Sequence, residues 1–232
     1  MRVSFIVITL AVLALSVNQG QAETTFDLST DFSFEHNPNK VWQYGYSSTD
    51  VLDVNQFQLD KVTDTYGNVG FWHPDANKGP GPGYYPYIAH NATTQTQIVF
   101  KGLAFRPGEV AMESSRAGQY GMIRFVAPST GTYKVNVQFE GIHFGLSTTD
   151  VHLLRNGTSL FDADIDGYGG DSAFHTVQGT SPRAEYSGQV AMKKDETLTI
   201  AIGYGKNKTN SCDTTGLFAK VILLDDANQP HK

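Results

Sequence analysis

Residues Gly131–Ile142 read GTYKVNVQFEGI, and apolar and polar side chains exchange places at every step. Tyr133, Val135, Val137 and Phe139 fall on one face; Thr132, Lys134, Asn136, Gln138 and Glu140 fall on the other. A period of two marks a strand with one dry and one wet face. Further strands are expected at Thr25–Phe34, Val41–Ser47, Gly70–His73, Tyr85–His90, Gln97–Phe105, Val110–Ser114 and Gln119–Ala127. Asp150–Arg155, Ser159–Asp166, Ala184–Met192, Thr197–Tyr204 and Leu217–Leu224 complete the set. Helical periodicity is weak beyond the N-terminal segment. Many strands, regular turns and few helices imply an all-β protein, a two-sheet antiparallel β-sandwich of the jelly-roll type.

Punctuation separates these strands at Asn37-Pro38, Gly79–Gly83, Pro107-Gly108, Pro128–Gly131 and Asn156-Gly157. The last is a hairpin signal, because both residues tolerate the positive φ of a type I′ turn. Asp60–His90, rich in Gly, Pro and aromatic residues, reads as a long ordered excursion on the surface.

The N-terminus reads as a signal peptide, residues 1–22. Arg2 is basic, Phe5–Leu15 is apolar but too short to span a bilayer, and Gly20-Gln21-Ala22 fits a cleavage site. Cleavage leaves residues 23–232 as one β-sandwich domain, secreted and without an integral membrane segment. Formal charge is −6, or −7 without Arg2, and basic residues are scattered, which argues against nucleic-acid binding. Cys212 is the sole cysteine, so no disulfide staples the chain and core burial must hold it.

Two constellations carry possible chemistry. The first is aromatic: Trp72, Tyr84, Tyr85 and Tyr87 lie in or near the Gly/Pro-rich excursion, and Trp42 and Tyr44 share a strand face with Tyr46. Exposed rings of this kind stack on the C–H faces of sugars and bring a polar handle. A strand face bearing Trp42, Tyr44 and Tyr46 also suits core packing. The second is Asp162-Ala-Asp164-Ile-Asp166-Gly167, which invites calcium. An EF-hand loop would need a bidentate carboxylate where Ala173 stands, and on a strand these aspartates simply face solvent. The seven histidines show no metal-ligand spacing, and G-x-S-x-G, S-x-x-K and P-loop motifs are absent.

Several segments resemble exported bacterial β-sandwich domains of the PEP-CTERM-associated type. They are Phe26–Tyr46 (FDLSTDFSFEHNPNKVWQYGY), Arg124–Gly131 (RFVAPSTG), Thr149–Phe161 (TDVHLLRNGTSLF) and Asp213–Leu217 (DTTGL), in order along the chain. The resemblance implies a carbohydrate-binding-module-like jelly roll that binds cell-surface or matrix polysaccharide. It supplies no catalytic residue, and the sorting tail of that pattern is missing after Asp225, which favours free secretion.

The leading expectation is a secreted, non-catalytic sandwich that binds polysaccharide or matrix glycan through Trp72, Tyr84, Tyr85 and Tyr87, backed by Trp42 and Tyr44. Alternatives are a self-associating structural protein of an extracellular matrix or biofilm and a jelly-roll polysaccharide-degrading enzyme.

Overall fold

The alternating segment lies at the heart of a large sheet, paired antiparallel on both edges along its whole length. The computed structural model describes residues 23–74 and 85–224. Residues 1–22, the expected signal peptide, and Tyr84 lie outside that range. The strands are β1 (Thr24–Asp27), β2 (Trp42–Ser47), β3 (Phe57–Leu59), β4 (Val62–Tyr66), β5 (Val69–His73), β6 (Tyr87–His90), β7 (Gln97–Val99), β8 (Leu103–Phe105) and β9 (Val110–Glu113). They continue as β10 (Gly121–Val126), β11 (Gly131–Gly141), β12 (Ser147–Arg155), β13 (Thr158–Tyr168), β14 (Gln178–Ser181), β15 (Arg183–Met192), β16 (Thr197–Ile202) and β17 (Thr215–Leu224). A short 3₁₀ turn, Val54–Gln56, is the one helical element among the described residues.

An eight-stranded sheet runs β15-β11-β17-β9-β6-β5-β4, with β1 also paired to β17, and a seven-stranded sheet runs β14-β13-β12-β16-β10-β2-β3. From β9 to β12 and again from β15 to β17 the chain crosses from one sheet to the other at each step. This is a two-sheet antiparallel β-sandwich of the jelly-roll type. Inward faces of both sheets supply the core, including Tyr133, Val135, Val137 and Phe139 from β11 against Val151, Leu153 and Ile165. The Asn156-Gly157 turn closes β12 onto β13 with φ of 46° and 85°, as the hairpin signal requires.

A second apolar cluster lies on the outer face of the eight-stranded sheet. There β7 and β8 form a two-stranded ribbon, and Val99, Leu103 and Phe105 cover Val69, Phe71, Tyr87, Ala89 and Ala111. Strands β5, β6 and β9 are therefore dry on both faces. Gln97–Phe105 is accordingly two strands rather than one, parted by Phe100 and Lys101 at φ of 50° and 61°. The expected strands Gly70–His73 and Tyr85–His90 are β5 and β6, and the Asp60–His90 segment, read as a surface excursion, also contributes β4. Thr25–Phe34 is a strand only to Asp27, whose carboxylate accepts from Ser29 N at 3.1 Å and turns the chain. Phe32 then packs on Tyr44 and His90.

Candidate functional site

The ribbon covers only the β9-to-β4 half of the outer face. Among the described residues nothing covers the outer face of β15, β11, β17 and β1, and a shallow groove of about 500 Å³ lies there. Antiparallel register sets its side chains in rows across the strands. Ser187, Asn136, Lys220 and Asp27 make one row; Glu185, Gln138 and Phe218 make the next. Neighbouring strands stand about 4.8 Å apart and successive rows about 6.7 Å, a grid on the scale of a pyranose ring. Ser187 Oγ donates to Asn136 Oδ1 at 2.8 Å, and Lys220 Nζ pairs with Asp27 Oδ2 at 3.1 Å. Phe218 is the aromatic residue in the row with Gln138, and Tyr186 also lines the groove. Amides, hydroxyls and a half-exposed ring can take up a polyhydroxylated ligand without any chemical step.

One row further along β11 the groove meets a buried acidic pair. Glu140 stands opposite Arg183 and Gly216. Its carboxylate lies 3.3 Å from Arg106 Nη1 and 3.3 Å from Arg183 Nε. Glu109, fully buried, accepts from Arg106 N at 2.7 Å. Burial pushes the Glu109 carboxyl up, and the neighbouring Glu140 charge pushes the same way. The arginines reach beyond the pair: Arg106 Nη2 donates to Gly170 O at 2.8 Å and Arg183 Nε to Gly169 O at 2.7 Å. This cluster ties the Gly169-Gly170 loop to the sheet. Both carboxyl groups have no exposed surface, so neither can meet a substrate.

The expected ring platform is not exposed. Trp42 and Tyr44 are buried on the inward face of β2, opposite Phe125 and Ile123. Trp72 is buried on β5, its indole N–H donating to Ser33 O at 2.7 Å. Tyr85 stacks on His73 with ring centroids 4.8 Å apart. Tyr87 lies beneath the ribbon with its hydroxyl donating to Glu113 Oε2 at 2.8 Å. Rings so enclosed cannot lie flat against a sugar; Tyr84 falls outside the described residues. The Gly/Pro setting misled because β5 and β6 pass through it as buried strands.

Asp162, Asp164 and Asp166 do share the wet face of β13, while Ile165 enters the core. Each has its own partner: Asp162 takes His152 and Ser159, Asp164 takes Lys206, and Asp166 takes Thr180. Among the described residues, no group of three or more His, Cys, Asp or Glu side chains is placed to hold a metal ion. His152 is instead the focus. Its Nδ1 lies 2.6 Å from Asp162 Oδ1 and its Nε2 2.7 Å from Asp150 Oδ2. Burial pulls its imidazole down, but the bonds and charges of both aspartates outweigh that, and the net shift is upward.

Groove residues were hidden in the sequence, because Asn136 and Gln138 read only as the wet face of a strand. The available signal was Phe218, an aromatic residue out of phase with Leu217, Ala219 and Val221 and in phase with Lys220.

No family model matches the sequence, and no match is found among curated proteins. Solved structures similar to this chain include CBM51 from Clostridium perfringens GH95, in complex with methyl-galactose, at 10% identity and a TM-score of 0.35. That likeness covers 85% of this chain and 99% of the other. A family 35 carbohydrate binding module from Clostridium thermocellum is 13% identical with a TM-score of 0.31, over 54% of this chain and 85% of that one. Likenesses at this level assign neither a ligand nor a site to this chain. Among the described residues, no helix is long and apolar enough to cross a membrane.

Proposed function

We propose that this chain is a secreted, non-catalytic polysaccharide-binding sandwich that lays a neutral glycan across the bare half of its eight-stranded sheet. The observation that carries the reading is the groove itself: a jelly-roll face left uncovered, floored by Asn136, Gln138 and Phe218 and edged by Glu185 and Ser187. Its volume falls within the range of ordinary ligand sites. A neutral chain is favoured over a polyanion because Lys220, the cation of the lining, is engaged by Asp27, while Glu185 stands exposed. Burial of the Glu109–Glu140 pair supports binding without hydrolysis. Export rests on residues 1–22, and kinship with PEP-CTERM-associated, carbohydrate-binding-module-like domains rests on the four segments quoted above. Calcium is no part of this reading.

Affinity electrophoresis tests it. Native gels carrying galactan, mannan, β-glucan or polygalacturonate are expected to retard the protein with a neutral polymer and not with polygalacturonate. An Asn136→Ala/Gln138→Ala variant is expected to bind about tenfold more weakly, since two hydrogen-bonding groups are removed. Unretarded migration in every gel, or equal retardation of the variant, would overturn the proposal.

A further inference from the structure

Among the described residues the two sheets have five edge strands: β15, β4 and β1 in one, β14 and β3 in the other. Four are short: β4 has five residues, β1 and β14 four each and β3 three, and β4 carries Asp64 at its centre. β15 has ten residues, pairs with β11 without a bulge, and carries no charge or proline from Tyr186 to Met192. Soluble proteins shield long edges with charge, proline, bulges or a covering segment, because an open row of N–H and C=O groups templates another strand. Among the described residues, none pairs with the outer edge of β15. The core is also open along this side. Ala184 and Tyr186 from β15 and Leu160, Phe161 and Ala163 from β13 pack against it while only partly buried.

We infer that β15 pairs with β15 of a second copy of this chain, antiparallel about a two-fold axis, to form a dimer with one continuous sheet. The axis must keep the wet faces of both copies on the same side, so residues of like parity oppose each other. Placing it through Ser187 sets Glu185 against Gln189, Arg183 against Ala191, Tyr186 against Gly188 and Ala184 against Val190. No like charges meet. Moving the axis to Gly188 would oppose Arg183 to Lys193, which disfavours that register. The same pairing covers the partly buried strip of Ala184, Tyr186 and Phe161. Glu185 and Ser187 form the β15 wall of the groove, so the dimer sets two grooves side by side on one floor; this last consequence rests on the glycan reading, and the pairing does not.

Gln189 faces solvent and does not line the groove. In the Ser187-centred dimer, Gln189→Glu places carboxylates opposite Glu185 twice over, and Gln189→Lys places opposite charges there. Sedimentation velocity of the purified chain over a concentration series is expected to show a monomer–dimer equilibrium. Its dissociation constant should rise about tenfold in Gln189→Glu and fall by a similar factor in Gln189→Lys, with far-ultraviolet circular dichroism unchanged. A monomer at every concentration, or an association that both substitutions move in the same direction, would overturn the inference. Polysaccharide retardation in the same variants reads the groove separately, because a monomer that still binds glycan leaves the groove reading intact.

Discussion

The carboxyl of Glu109 fills the space above Gly216, its Oε1 standing where a β-carbon on that glycine would be. Only a residue without a side chain allows this carboxyl to settle on β17 beside Glu140. Gly216→Ala would push Glu109 off Arg106 N and disturb the tie to the Gly169-Gly170 loop. The expected loss is about 1–3 kcal/mol, the usual range for overfilling a packed site, read by urea denaturation. A change under roughly 0.5 kcal/mol, the size of an ordinary surface substitution, would contradict this account.

Buried acids set the pH response. Burial pushes the Glu113 and Asp213 carboxyls up to about 7, and it pushes Asp60 and Glu109 up as well. Unfolded carboxyls titrate near about 4. The native chain therefore holds more protons than the unfolded one between about 4 and 7. The contribution of these groups is complete below the unfolded value and is lost as pH rises through the folded one. Tm is expected to be higher at pH 5 than at pH 8. Asp60 offers a separate check, since both its carboxyl oxygens are buried without a partner. Asp60→Asn should change little at pH 4 and stabilise the chain increasingly toward pH 8; a variant equally stable to the parent at every pH would count against it.

On the opposite face of the sandwich the sign differs within one cluster. His152 is shifted upward, so its share of stability disappears as pH rises through its folded value. Asp150 and Asp162 are held low and lose theirs as pH falls. For Asp150 burial acts upward, but the His152 bond and Gly205 N–H outweigh it; for Asp162 the Ser159 hydroxyl leads, followed by His152. NMR titration should place His152 above the ordinary imidazole value of about 6.5, and Asp162→Asn should bring it down. Because Asp162 is more than half exposed, the stability change should be small, about 1 kcal/mol or less.

Phe218 offers the most direct probe of the groove. Phe218→Ala is expected to weaken binding of a neutral oligosaccharide roughly three- to tenfold, the worth of one aromatic contact, with melting behaviour little changed. Phe218→Trp should keep binding and shift its own emission when the sugar arrives. Titration calorimetry showing equal affinity in Phe218→Ala would remove the ring from the site.

Strand pairing was legible wherever one face is wet. Tyr133 to Phe139, the Asn156-Gly157 turn and the outward Asp162, Asp164 and Asp166 all follow from a period of two and a turn that needs positive φ. The strands at Gly70–His73 and Tyr85–His90 were legible as well, but their burial on both faces was not, because a second layer covers the sheet there. Val69-Gly70-Phe71-Trp72 has no polar alternation because the β7–β8 ribbon dries its outer face, and Trp72, Tyr85 and Tyr87 then resembled loop residues. The groove escaped for a different reason. Asn136, Glu185 and Phe218 come from three strands separated by dozens of residues, and only the register of β11 with β15 and β17 makes them neighbours.

The raised acids have a calorimetric consequence. Near neutrality the folded chain carries hydrogen ions on Glu113 and Asp213 that the disordered form cannot keep, so melting discharges them into the medium. The heat absorbed on melting near pH 6 should therefore depend on the ionisation enthalpy of the buffer, being larger in phosphate than in Tris at matched pH.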